Sequence, residues 1–282
     1  MISIFVQSAL DNAKGSTLSK TNTSTGKQRD LTEGSIAKTM LLFALPTLGS
    51  SALQSLNGSI NAVWVGRFLG EEALAATANG NILMFILISF VFGFGMASTI
   101  LIGQAMGSRD DAIVKKTMGT ALGSIIPISI LVSAGGWIFA PLLLDLLGTP
   151  PSALDLALTY LRMIFIAMPV TLTFTLIMMA LRGTGDSTTP LWFIIISVII
   201  DLILTPVLIL GIGPFPEWGI FGSAFATAVA NTLALIGMVV TMYLRGSVLT
   251  LKLPELRFLR ADRDILKSMF SKGLPMGLQM IV

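Results

Sequence analysis

Asp201 stands near the middle of the apolar run Leu191–Ile212. A carboxylate inside a long apolar segment is costly, so such residues face a bundle interior or a polar cavity and serve a pathway. Thr205 follows at i+4, on the same helical face. Pro206 comes next, and its missing N–H leaves the carbonyl of Leu202 without its usual helical donor. One turn therefore offers a carboxylate, a hydroxyl and a free carbonyl. All are oxygen ligands, suited to a proton or to a hard cation such as Na⁺ at Asp201. The competing reading of Asp201 is structural: a buried acid hydrogen-bonded across a helix interface.

Two further segments carry polar side chains at helical spacing. Gln54, Asn57 and Asn61 lie at i, i+3 and i+7, with Ser50 one turn earlier. Three amides on one face are too many for lipid, and they read as the wall of a cavity. Ser223, Thr227 and Asn231 lie at i, i+4 and i+8; they line the same cavity or act as packing glue between helices. Prolines at Pro46, Pro127, Pro169 and Pro206 can kink their helices, and Pro46 and Pro206 are the candidate hinges beside the polar faces. Methionines and phenylalanines such as Met96, Met168, Met178, Met179, Phe92, Phe94 and Phe174 offer an adaptable apolar surface or, as the simpler reading, ordinary packing and lipid contact.

The chain has no cysteine and no histidine. This excludes disulfides, thiolate zinc sites, Ser-His triads and histidine proton relays. No cofactor is implied beyond a coupling ion, H⁺ or Na⁺. Gly183-Thr184-Gly185 forms a tight loop but lacks the Gly-Lys-Ser/Thr ending of a phosphate loop. With no convergent nucleophile, base and metal set, an enzyme is disfavoured.

These residues must be positioned by membrane-spanning helices. Apolar residues make up 54% of the chain and charged ones only 12%, with mean hydropathy +0.85. Apolar windows run over 38–65, 75–104, 117–144, 157–181, 191–212 and 219–244. Each is about 22 to 30 residues, enough to cross a hydrocarbon core of about 30 Å. Gly- and Pro-rich turns separate them, as at Gly148-Thr149-Pro150-Pro151 and Gly211-Ile212-Gly213-Pro214. Lipid supplies no partner for free backbone groups, so the spans are expected to be helices. The expected fold is all-α and polytopic: a six-helix lobe over 35–244, a cytoplasmic link over 245–272, and the start of a seventh helix over 273–282. Residues 1–34, rich in Ser, Thr, Gly and Lys, read as a disordered cytoplasmic tail; the apolar run Ile2–Val6 is too short for a signal-peptide core. With the N-terminus inside, all but two of the 18 Lys and Arg residues fall on the cytoplasmic side, Arg67 and Arg162 being the exceptions. This places the chain in the cell membrane as a multi-pass protein with the bilayer as its medium. The spread of basic residues over several loops is no nucleic-acid signature. The basic segment 245–272 can touch anionic lipid heads, although a cytoplasmic link is basic in any case.

An internal repeat appears near the end. Ser35–Pro46 aligns with Asp264–Pro275, with Ile, Lys, Met, Leu and Pro coinciding and Thr39 opposite Ser268. The offset spans six helices, so both copies start on one face, the pattern of parallel transporter repeats. Chance similarity between two amphipathic helix starts is the alternative. The chain is expected to stop just inside a second repeat, with a C-terminal lobe as its missing partner.

Several stretches together resemble the multidrug and toxic compound extrusion (MATE) family. They are Ala44-Leu45-Pro46; Val65-Gly66-Arg67-Phe68-Leu69-Gly70 with Ala73-Leu74-Ala75-Ala76; Gly103-Gln104-Ala105-Met106-Gly107; the run Leu181–Pro190, reading LRGTGDSTTP; and Trp218–Thr227, reading WGIFGSAFAT. The likeness covers about residues 35–282 and implies half of a twelve-helix fold. It further implies alternating access and export of organic, mostly cationic small molecules in exchange for H⁺ or Na⁺. Many members carry an Asp where Asn61 stands in Asn61-Ala62-Val63-Trp64-Val65-Gly66. Their fifth helix commonly reads Asn, three residues, Asp-Pro; here it reads Asp201, three residues, Thr205-Pro206, as though acid and neutral positions were exchanged. Thr227 matches a sixth-helix Thr near the same pocket. The resemblance thus implies a coupling group of Asp201, Asn61, Thr205 and Thr227, while Gln54, Asn57, Ser223 and Asn231 are the cavity-lining candidates that helical spacing gives. Alternatives on the same architecture are a lipid-linked precursor flippase, a metabolite exporter, or a non-transporting remnant lobe. A flippase calls for a basic cavity, and Arg162 is essentially the only candidate within the spans.

Overall fold

The computed structural model describes residues 36–251 and 253–281; the expected tail at 1–34 and the terminal Val282 lie outside them. Seven α-helices are found among the described residues: α1 (Ile36–Leu69), α2 (Glu71–Gly107), α3 (Asp111–Leu146), α4 (Leu154–Gly183), α5 (Thr188–Leu210), α6 (Gly219–Leu244) and α7 (Arg263–Ile281). A 3₁₀ segment, Leu253–Leu259, lies between α6 and α7, and no strand is present among these residues. Even the 23-residue α5 is about 35 Å long at 1.5 Å per residue, more than the hydrocarbon thickness.

Five of the helices, α2 to α6, are long and apolar enough to cross a membrane. α1, expected as the first of six spans, has 34 residues but is not among the five. Its amides and serines between Ser50 and Asn61 dilute the hydropathy of its central turns. α1 to α4 run past the apolar windows at both ends, as in α2, which starts at Glu71 instead of 75 and ends at Gly107 instead of 104. Polar residues extend a helix beyond the hydrocarbon when its end is capped: the Asp110 carboxylate accepts the Ile113 N–H at 3.0 Å at the start of α3.

α4 is the central helix. It is buried along most of its length, against α2, α3 and α6. One apolar cluster joins Leu161, Phe165, Met168 and Leu172 to Val91, Ile125 and Leu144. A second joins Phe174, Met178 and Leu181 to Ile102, Met118, Met238 and Met242. The sulfur-rich side chains therefore serve the packing that the simpler reading assigned to them. Leu131, Ile138, Phe139 and Leu142 of α3 remain exposed, as suits a lipid-facing stripe.

The α5–α6 pair sets the register of the polar residues. Gly211 ends α5 in the left-handed region at φ 65°, a conformation glycine adopts without a Cβ penalty. The Trp218 N–H then donates back to the Leu208 carbonyl at 3.0 Å. Gly222 lies so close to that carbonyl that a Cβ there would sit 2.8 Å from its oxygen. The two helices are thus locked side by side at one end, and their polar faces meet further along.

α7 starts at Arg263, ten residues ahead of the boundary drawn from hydropathy at 273. Its first turns are amphipathic rather than apolar, and their start is fixed by a cap: the Asp262 carboxylate accepts from the N–H groups of Asp264 (3.0 Å) and Ile265 (3.2 Å). Residues 245–272 therefore comprise a shorter link, with the 3₁₀ segment in it, and the base of α7.

Candidate functional site

The side chains of α1, α5 and α6 converge on Asp201, which is 2% exposed. Asn57 Nδ2 of α1 donates to Oδ2 at 2.8 Å. The hydroxyls of Thr205 and Thr227 donate to Oδ1 at 3.2 and 3.0 Å. The Asn61 amide is also within hydrogen-bonding reach of the carboxylate, and its Oδ1 accepts from the Ser223 hydroxyl at 2.9 Å. Six sequence-predicted residues, Asn57, Asn61, Asp201, Thr205, Ser223 and Thr227, thus form one connected network from three helices. Helical periodicity explains how: Asn57 and Asn61 share a face of α1, Asp201 and Thr205 a face of α5, Ser223 and Thr227 a face of α6.

Two predicted lining residues stand apart. Gln54 is exposed, and its amide donates to the Ser50 carbonyl of its own helix at 3.3 Å. Asn231 forms a separate cluster one turn along α6, accepting from Ser197 at 3.0 Å and reaching the Thr171 hydroxyl of α4 at 3.4 Å. Pro46 and Pro206, the candidate hinges, both lie inside continuous helices.

The chemistry of the network is that of an acid surrounded by neutral donors. No Lys or Arg is paired with Asp201 among the described residues; the ion pairs found join Lys115 to Glu255 and Lys116 to Asp262. Hydrogen bonds to an ionised carboxylate are stronger than neutral ones, but they leave its net charge uncompensated, and a buried charge without a counter-charge is expensive. A proton or a small cation cancels that charge. The amide and hydroxyl oxygens around Asp201 are the ligand type such a cation takes.

Sequence reasoning missed Tyr160 of α4. It is buried, and its hydroxyl lies 3.4 Å from Asn81 Oδ1 of α2. A lone tyrosine in an apolar window carries no spacing signal. Also unforeseen is the aromatic group Trp218, Phe221 and Phe225 at the start of α6. Arg162, the sole basic candidate within the spans, places its guanidinium 4.8 Å from the Trp137 ring of α3, a cation–π contact. The loop between α4 and α5 has a local role: the Asp186 carboxylate accepts the N–H groups of Thr188 and Thr189, at 3.1 and 2.9 Å.

These features define an α-helical membrane protein whose polar groups meet inside the bundle around one acid. The sequence matches the MatE family profile over residues 46–207, more than half of the chain. A probable multidrug resistance protein of Bacillus subtilis (YoeA) is 37% identical over 248 residues, 88% of this chain and 54% of that protein. An FAD transporter of Shewanella oneidensis is 31% identical over 237 residues, 84% of this chain and 51% of that one. In fold, a MOP superfamily transporter from Pyrococcus furiosus superposes with a TM-score of 0.79 at 21% identity, over 93% of this chain and 56% of that one. The chain belongs to the MatE family. It spans about half the length of the curated relatives it matches.

Proposed function

We propose that the chain forms the first lobe of an ion-coupled antiporter that exports organic, cationic drugs or metabolites by alternating access, with H⁺ or Na⁺ as the coupling ion. The observation that carries this reading is Asp201, buried and held by three side-chain donors with no basic residue paired with it among the described residues. In the cycle Asp201 alternates between a proton- or Na⁺-bound state and a free state that favours a cationic substrate. Thr205, Thr227, Asn57 and Asn61 hold the carboxylate in place and offer oxygens to the ion. The distribution of basic residues supports a cytoplasmic N-terminus and α6–α7 link in a cell membrane. A second lobe, as in the longer relatives, completes the pathway.

The test is efflux by the complete transporter carrying Asp201→Asn, reconstituted in vesicles under separate proton and sodium gradients. Loss of gradient-driven efflux is expected. Undiminished, still ion-driven efflux would sink the coupling role. Export of an anionic metabolite is the second reading, favoured by the likeness to the FAD transporter of Shewanella oneidensis; competition between a cationic dye and FAD separates the two. A flippase for lipid-linked phosphates finds less support, because Arg162 is engaged with Trp137.

A further inference from the structure

The run Leu181–Pro190 ends α4 and opens α5, and several of its polar groups are spent inside the protein. The Thr184 hydroxyl donates to the Leu181 carbonyl at 2.8 Å. The Asp186 carboxylate accepts from the backbone N–H and the hydroxyl of both Thr188 and Thr189. Thr189 Oγ1 in turn accepts from Arg245 Nη1, just past the end of α6, at 3.1 Å. Gly183 presses on α2, where a Cβ would stand 2.9 Å from the Thr99 carbonyl oxygen. The loop thus joins α2, α4, α5 and α6 on the face that bears the link.

Arg182 is different. Its Nε and Nη2 are buried and have no hydrogen-bond partner, and neither ion pair found among the described residues includes it. These two nitrogens form one edge of the guanidinium plane. Their N–H groups point the same way, spaced to meet two oxygens of a phosphate or a carboxylate. Donors buried without an acceptor are costly, and a guanidinium cannot shed its charge as a lysine can. Asp186, the acid nearest in sequence, is already taken by its own donors. The residue as a whole is only half-buried, so a small swing of the side chain brings the edge to an anion.

Depth selects the class of anion. Arg182 is the penultimate residue of α4, Tyr243 the penultimate residue of α6, and Trp192 lies in the second turn of α5. At 1.5 Å per residue, all three fall within about 6 Å of the helix ends. Trp192 and Tyr243 are exposed, and aromatic side chains so placed mark the level of lipid headgroups. Arg245, also exposed, adds a second positive charge at that level. Phosphate is the anion a bilayer offers there.

We propose that the buried edge of Arg182 is a site for the phosphate of an anionic phospholipid in the link-side leaflet, with Arg245 adding attraction from the end of α6. The site requires helices that cross a bilayer and is independent of the coupling role of Asp201.

The complete transporter, purified in a neutral detergent, is titrated with phosphatidylglycerol and with phosphatidylcholine, and bound lipid is counted by native mass spectrometry. Phosphatidylglycerol is expected to bind about tenfold or more tightly, and Arg182→Gln to remove most of that preference. Arg182→Lys keeps the charge without the planar edge, and serves where the glutamine variant fails to fold; its preference should fall several-fold. Arg263→Gln removes an exposed charge from the same face and should change the preference about twofold at most. An equal loss in Arg263→Gln would reveal a diffuse basic surface and overturn the site. Full preference in Arg182→Gln or Arg182→Lys would overturn it as well. A parent that binds the two lipids alike would assign the acceptor to the protein, as a carboxylate of the second lobe, and sink the proposal. Inorganic phosphate in excess should leave phosphatidylglycerol bound; its displacement would assign the edge to free phosphate instead of lipid.

Discussion

Gly123→Val should release the link from α3, and the size of the effect follows from the contacts. The backbone of the 3₁₀ segment lies directly on two glycines of α3. A Cβ at Gly123 would collide with the Leu259 carbonyl oxygen and approach its carbon to 2.7 Å; one at Gly119 would meet Phe258 Cβ at 2.6 Å and its carbonyl oxygen at 2.7 Å. These are backbone atoms and a Cβ, none of which a rotamer change can move. Overpacking of this kind costs about 1–3 kcal/mol. Lifting the segment also strains Lys115–Glu255 and Lys116–Asp262, partly exposed pairs that add little. Taking about 2 kcal/mol in all, the population of the open link rises about 30-fold. The assay is limited trypsin digestion in detergent at low protease, where cleavage tracks the open population. Arg257 and Arg260 are exposed and supply the sites. The control is Gly135→Ala in the same helix, where an added Cβ has nothing within 4 Å. Equal cleavage rates at Arg257 and Arg260 in the Gly123→Val and parent proteins would refute the docking argument.

Asn57→Ala should lower ion-driven efflux about tenfold or more, because a hydrogen bond to a charged group is worth about 1.5–3 kcal/mol; Gln54→Ala, bonded only to its own helix, should change efflux about twofold at most, and vesicle transport compares the two. Gly136→Ala places a methyl against the Phe165 ring and should destabilise the lobe by about 1–3 kcal/mol, read as a lower midpoint in thermal unfolding. The link should also loosen in acid. The Lys116 ammonium, and then the Ile265 N–H, hold the Asp262 carboxyl below the usual aspartate range. Its contribution is therefore present above the unfolded value of about 3.9 and is lost as pH falls through the lower folded value. Amide exchange across Arg257–Leu266 should show that loss, and Asp262→Asn should abolish its pH dependence.

Much of the polar network was legible because it obeys helical spacing. Asp201 with Thr205, Asn57 with Asn61 and Ser223 with Thr227 each share a face by counting alone. Which faces meet was not legible in that way, since it depends on the Gly211 turn and on Gly222 pressing against Leu208. Gln54 shares a stripe with Asn57 but lies a turn beyond the point where α1 meets Asp201. Tyr160 was invisible for the opposite reason: it has no periodic companion, and its hydroxyl meets Asn81 of α2. The start of α7 was placed late because hydropathy reports the apolar shaft, whereas a helix begins at its cap.

The double engagement of Asp262 has a consequence for how the molecule is made. A chain delivered to the membrane from its N-terminus presents Lys116 and Thr120 on a finished α3 before residue 262 arrives. The carboxylate that starts α7 is then captured by a surface already in place. The first six helices thus act as a template for where the next helix begins, Lys116 taking the Asp262 carboxylate and the Thr120 hydroxyl its N–H.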